Sequence, residues 1–108
     1  MKFLCLAYGD ESGWKALSKA KQAEVLAADE RIRERGNFMA IVLPSTVVRA
    51  WDGTPVTSPG PFARGDVPLA GFSIIEARDL DEAVAMVAKT PCAVAKGAIE
   101  VWPLKASG

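Results

Sequence analysis

The sequence contains no histidine. Within one type of chain, that excludes Ser-His-Asp and Cys-His nucleophilic arrangements, and it removes the commonest general base near neutral pH and the commonest zinc ligand. Only two cysteines are present, Cys5 and Cys92, each inside an apolar run. They are too few for a structural zinc site and read as small buried hydrophobes rather than as a disulfide framework. Net charge is absent as well, with thirteen Lys and Arg against thirteen Asp and Glu. No general field therefore draws the chain to nucleic acid or to an anionic membrane. Aromatic residues make up 7% of the chain and are not interleaved with basic ones, so single-stranded nucleic-acid binding has no support. Pro59-Gly60-Pro61 offers too few backbone N–H groups to cradle a phosphate. The opening apolar run, MKFLCLAY, stops at Gly9-Asp10-Glu11. It is too short for a signal peptide's apolar region or a bilayer span, so the expected location is cytoplasmic. No cofactor and no metal are expected.

Half of the 108 residues are apolar, which allows a core built mainly from Ala, Val, Ile and Leu. The length fits one domain, residues 1–105, with 106–108 as a frayed tail. Lys2 to Tyr8 reads as a strand apolar on both faces, and Gly9 to Gly13 as a polar turn. Ser18 to Arg35 reads as a helix with Ser18 as N-cap and Gly36-Asn37 as its stop, and Val25, Ala28 and Ile32 form a thin apolar stripe. Asp29 lies beside that stripe. Phe38 to Leu43 is a second strand. Thr46 to Trp51, Asp52-Gly53 and Pro55 to Thr57 form a hairpin signal, with the Pro favouring an edge. Ser58 to Phe62 reads as a rigid connector anchored to the core by Phe62, followed by the charged Arg64-Gly65-Asp66. Leu69 to Ala77 is the long strand, with Gly71 and Ser73 making one face small enough for close approach. Asp79 and Glu82 form a capping pair for a helix that ends at Thr90-Pro91, and Gly97 to Leu104 is the last strand.

The predicted order is the ferredoxin-like βαββαβ pattern of an α+β fold, with a β-hairpin insertion. Right-handed crossovers place both helices on one side of the sheet. The other side stays apolar and uncovered, which a homodimer of facing sheets would resolve. Such a dimer would enclose a cleft lined in part by Tyr8, Ser73 and Asp29. With no histidine, acid/base work falls to a short set of residues. Asp29 or Asp66 would be the base, Arg49 or Arg64 would hold an anionic substrate, and Tyr8 and Ser73 would line the binding site.

MKFLCLAYGDE at the start, GPFA at Gly60 to Ala63, LAGFSIIEARDLDEAVAMVAKTP from Leu69 to Pro91 and AIEVWPL from Ala98 to Leu104 together resemble the YCII-related family, in particular its DGPF-containing branch. The resemblance spans nearly the whole chain and implies a dimeric α/β barrel of ferredoxin-like subunits. In that family, a His on the first helix and an Asp in the central loop are proposed to meet in a cleft. Here the Asp before Gly-Pro-Phe is replaced by Pro59, and the first helix carries no His, with Asp29 in the corresponding region. The resemblance therefore implies the fold more strongly than the dyad. The first functional expectation is a dimeric small-molecule-binding domain without that dyad. A lyase, isomerase or hydrolase acting on a small anionic or aromatic metabolite is the alternative, and an accessory protein to a transcription regulator is the third.

Overall fold

A computed structural model describes residues 1–105, and the tail expected at 106–108 lies outside them. The chain runs β1 (Lys2–Tyr8), α1 (Glu11–Lys15), α2 (Lys19–Glu34), β2 (Phe38–Ile41), β3 (Thr46–Arg49), β4 (Val56–Pro59), β5 (Leu69–Glu76), α3 (Leu80–Val87), α4 (Pro91–Val94) and β6 (Ala98–Pro103). Four strands form one sheet in the order β2-β5-β1-β6, with every neighbouring pair antiparallel. That is the ferredoxin-like strand order, and β3 and β4 form a separate two-stranded sheet inserted into it.

The expected dimeric α/β barrel is overturned. The four-stranded sheet is open, with β2 and β6 at its edges, and no sheet among the described residues closes on itself. Instead of extending an edge, β3 pairs only with β4, from Thr46 opposite Pro59 to Arg49 opposite Val56. Doubly apolar strands specify that a face needs cover, and that need carries no information about closure.

Local chemistry explains the elements that frame the sheet. The Ser18 hydroxyl accepts the Lys21 N–H at 3.1 Å and starts α2, which buries Val25, Ala28 and Ile32. Gly36, at φ 89°, lets the chain leave the helix. Asn37 then ties the helix end to the sheet: its amide donates to the Ile32 carbonyl, and its side-chain oxygen accepts the Glu76 N–H, each at 2.9 Å. Asp79 caps α3 by accepting the Glu82 N–H, while the Glu82 carboxylate reaches past the cap to accept from the Arg78 N–H.

Two short helices replace expected irregular segments. In α1, Asp10 accepts from the Gly13 N–H at 3.1 Å and from the Ser12 hydroxyl at 2.7 Å, so the predicted polar turn is one capped helical turn. Gly13 is needed there, because a methyl at that position would run into the Ala95 carbonyl. The Thr90-Pro91 pair ends α3 as expected and also starts α4, with Pro at the first helical position where no N–H is required.

The core lies between the sheet and the helices. Phe3, Cys5, Ile75, Ala77, Ile32, Ala83 and Val87 make it. The inserted hairpin contributes nothing to it: Trp51 is 92% exposed, and Phe62, expected to anchor the connector, is 75% exposed. The Arg49 guanidinium lies 5.4 Å from the Phe62 ring centroid and 6.0 Å from that of Trp51, so these side chains pack on one another rather than on the body. The hairpin turn is also wider than Asp52-Gly53 alone. Gly53 has φ 91° while Asp52 does not share the left-handed region, and the Asp52 carboxylate accepts the Thr54 N–H at 3.0 Å.

Candidate functional site

Strand alternation sends Cys5, Ala7, Gly71 and Ser73 toward the helices, and all four side a cleft of about 410 Å³ between the sheet and α2, α3 and α4. Helix α2 supplies Asp29, Ile32 and Arg33 to its walls; Thr90, Pro91 and Cys92 come from the end of α3 and the start of α4. Most of the lining is apolar, and the volume falls in the range of about 300–1,000 Å³ usual for small-molecule sites. Gly71 keeps the floor flat, because a Cβ there would come within 2.6 Å of the Ala40 carbonyl oxygen on β2.

Three titratable groups of this cleft, Asp29, Cys5 and Cys92, have displaced proton affinities. Burial lifts the Asp29 carboxyl above the ordinary carboxylate range, and Arg33, one turn further along the helix, partly offsets the shift. Burial also raises the Cys92 thiol, and the negative charge of Asp29 adds to it, so the two groups sense each other across the cleft. Burial raises Cys5 as well, with the Ser73 hydroxyl pulling the other way. Both cysteines are free. Thiols raised in this way stay protonated at neutral pH and are poor nucleophiles. Arg33 also donates to Glu30 at 2.7 Å, an exposed pair on the helix surface.

Of the residues singled out in the sequence, the structure brings Asp29 and Ser73 to the walls of the same cleft. Tyr8 closes β1 and donates to Glu100 at 3.4 Å, away from the cleft lining. Arg49 belongs to the hairpin, and Arg64 and Asp66 are exposed on the loop before β5. The cleft itself lies within one chain, between sheet and helices. Cys92 and Arg33 were missed. Arg33 was legible as the residue four after Asp29, on the same helix face. Cys92 had no comparable signal, because its position depends on α4, which the Thr90-Pro91 stop concealed.

Among the described residues, no group of three or more His, Cys, Asp or Glu is placed to hold a metal ion. No helix among them is long and apolar enough to cross a membrane.

No curated protein matches the chain. Among solved structures, it is similar to the 5-chloro-2-hydroxyhydroquinone dehydrochlorinase of Burkholderia phenoliruptrix in complex with 2,5-dihydroxybenzoquinone, at 20% identity and a TM-score of 0.50, over 99% of this chain and 96% of that one. At that identity the likeness speaks for the fold. The YCII-related domain family matches residues 1–106, a stretch that includes the open sheet, the helices and the cleft between them, and the chain belongs to that family.

Proposed function

We propose that this chain is an enzyme that moves a proton on a small hydroxylated aromatic metabolite bound in the cleft, with Asp29 as the general base. One observation carries this reading: a carboxylate with raised proton affinity stands in the wall of an open, mostly apolar cleft of about 410 Å³. A base poised nearer neutrality than an ordinary Asp suits acid/base catalysis, and an apolar cleft suits a flat ring. Asp29 would accept the proton of a ring hydroxyl. The negative charge that appears on the substrate oxygen would face Arg33, while the Ser73 hydroxyl and the protonated Cys92 thiol offer weaker hydrogen-bond donors. A lyase or isomerase fits this set better than a hydrolase, since the cleft offers no activated nucleophile. The dehydrochlorinase with the similar fold acts on a chlorinated hydroxyhydroquinone, which supports an aromatic substrate class.

This reading is preferred to a purely binding domain because the polar groups converge on open space. Asp66, Arg49 and Arg64 take no part in it, and Tyr8 is left to its Glu100 partner. We also propose that the chain works in the cytoplasm, as a homodimer whose contact covers exposed apolar side chains such as Phe38 and Trp102, and that its Gly60-Pro61-Phe62 places it in the DGPF branch. Residues 1–105 would act as one domain. Turnover of hydroquinone, hydroxyhydroquinone and their chlorinated forms should be assayed with the native chain and Asp29→Asn. A loss of about 100-fold or more on removing the base is expected. Equal rates in the two proteins would overturn the assignment.

A further inference from the structure

A second, smaller hollow of about 260 Å³ lies beside the cleft, lined by Gly9, Asp10, Glu11, Trp14 and Ala95, with Ala70, Pro91 and Cys92 common to both. The two spaces therefore meet at one wall, and the Cys92 side chain stands in it. Gly9 makes that arrangement tight: a Cβ there would lie 3.0 Å from the Cys92 sulfur, so the thiol rests directly against the backbone at the end of β1. On the far side the hollow is lined by the half-buried Trp14, whose backbone carbonyl accepts the Gln22 side-chain amide at 3.0 Å and so ties α1 to α2.

Size gives this neighbour a meaning. A cavity of about 150 Å³ is enough to take a benzene ring. One ring at Asp29 thus leaves more than half of the 410 Å³ cleft unfilled before the second space is counted. We infer that the substrate has two flat parts: a hydroxylated ring in the cleft beside Asp29, joined to a second planar group that passes the Cys92 thiol and lies against Trp14. A hydroxylated biaryl has that chemistry. The thiol suits the crossing point, since a protonated, polarisable sulfur packs against ring edges without demanding a hydrogen bond. Asp10 is not available as a strong anchor, because its carboxylate already accepts from Gly13 and Ser12; shape and stacking select the second group.

The inference rests on the cleft being the binding site, and the test separates the two. Binding of hydroquinone and phenylhydroquinone is measured by calorimetry under anaerobic conditions with the native chain, Trp14→Ala and Trp14→Phe. Phenylhydroquinone should bind about tenfold more tightly than hydroquinone, in line with one added aromatic stacking contact. Trp14→Ala should remove that advantage while leaving hydroquinone affinity within about twofold, and Trp14→Phe should restore most of it. Should Trp14→Ala fail to fold, alkylation by iodoacetamide at alkaline pH, where more of the thiolate is present, read at Cys92 by peptide mass spectrometry in the native chain, reports on the same crossing. Phenylhydroquinone should slow the reaction, and hydroquinone at the same fractional saturation should slow it less. Equal affinities and equal protection overturn the two-part substrate and leave the cleft reading intact. No binding of either probe overturns both.

Discussion

The two faces of the four-stranded sheet are built from the same strands and the same residue types, yet they end in different states. Phe3, Cys5 and Ile75 on the helix side are buried, whereas on the other side Phe38 is 58% exposed and Trp102 49% exposed. Alternation along a strand sets which residues share a face and is silent about what covers it. Cover here comes from α2, α3 and α4, and where they stop short of the sheet the cleft remains. The candidate site is thus the place where a covered face is incompletely covered.

The sharpest way to break the comparison is to cut neighbouring isoleucines of β5. Ile75→Ala should cost about 2–5 kcal/mol in denaturant unfolding, since Ile75 is fully buried, whereas Ile74→Ala on the opposite face should cost about 1 kcal/mol or less. Similar costs for both would mean that the second face is also packed in solution. Next in size is Gly71→Ala. Its methyl would press on the Ala40 carbonyl, and the strain between β2 and β5 should cost about 1–3 kcal/mol and narrow the cleft floor. A variant with unchanged stability and unchanged hydroquinone affinity would show that the edge strand yields freely.

A pH titration sharpens the comparison electrostatically. Because burial raises the Asp29 carboxyl in the folded chain above its unfolded value, its contribution favours folding below the unfolded value and is lost as pH rises through the folded one. Asp29→Asn should flatten that part of the stability–pH curve and leave the variant relatively more stable at neutral pH. Asp10 and Asp79 act with the opposite sign: hydrogen bonds hold both carboxyls low, so their contribution is lost as pH falls. A wild-type curve that rises through the Asp29 range and is unchanged by the substitution would contradict the raised carboxyl. The smallest effect belongs to the uncovered face. Tyr8→Phe removes one long, exposed hydrogen bond to Glu100 and should change stability by no more than about 0.5 kcal/mol.

Much of the secondary structure was legible because its signals are local. Ser18 and Asp79 each cap the helix that follows them, and apolar spacing selected Val25, Ala28 and Ile32 as the buried stripe. Signals that depend on distant packing were not legible. A short helix containing Gly13 reads as a turn until Ala95 is known to lie against it. Phe62 reads as an anchor by composition, yet its partner is Arg49 in the arm. The candidate site was half legible for the same reason. Asp29 and Ser73 stood out by their own positions on a stripe and a strand face. Cys92 joined the wall of the cleft only because α4 carries it there.

The hairpin arm has a consequence for how the chain tolerates change. Strands β2 and β5 are already neighbours, with Ile41 opposite Gly71 and the Val42 N–H bonded to the Ala70 carbonyl at 3.0 Å. The arm between them closes on itself at its base, where the Gly60 N–H meets the Ser45 carbonyl at 3.0 Å. It is therefore a long loop between paired strands, and loop closure costs only about 0.6 kcal/mol for each doubling of loop length. Swapping it for a short turn would spare the buried core and the wall that carries Asp29. The arm is an exchangeable cassette, and β2 and β5 are the seam at which another segment could be spliced in.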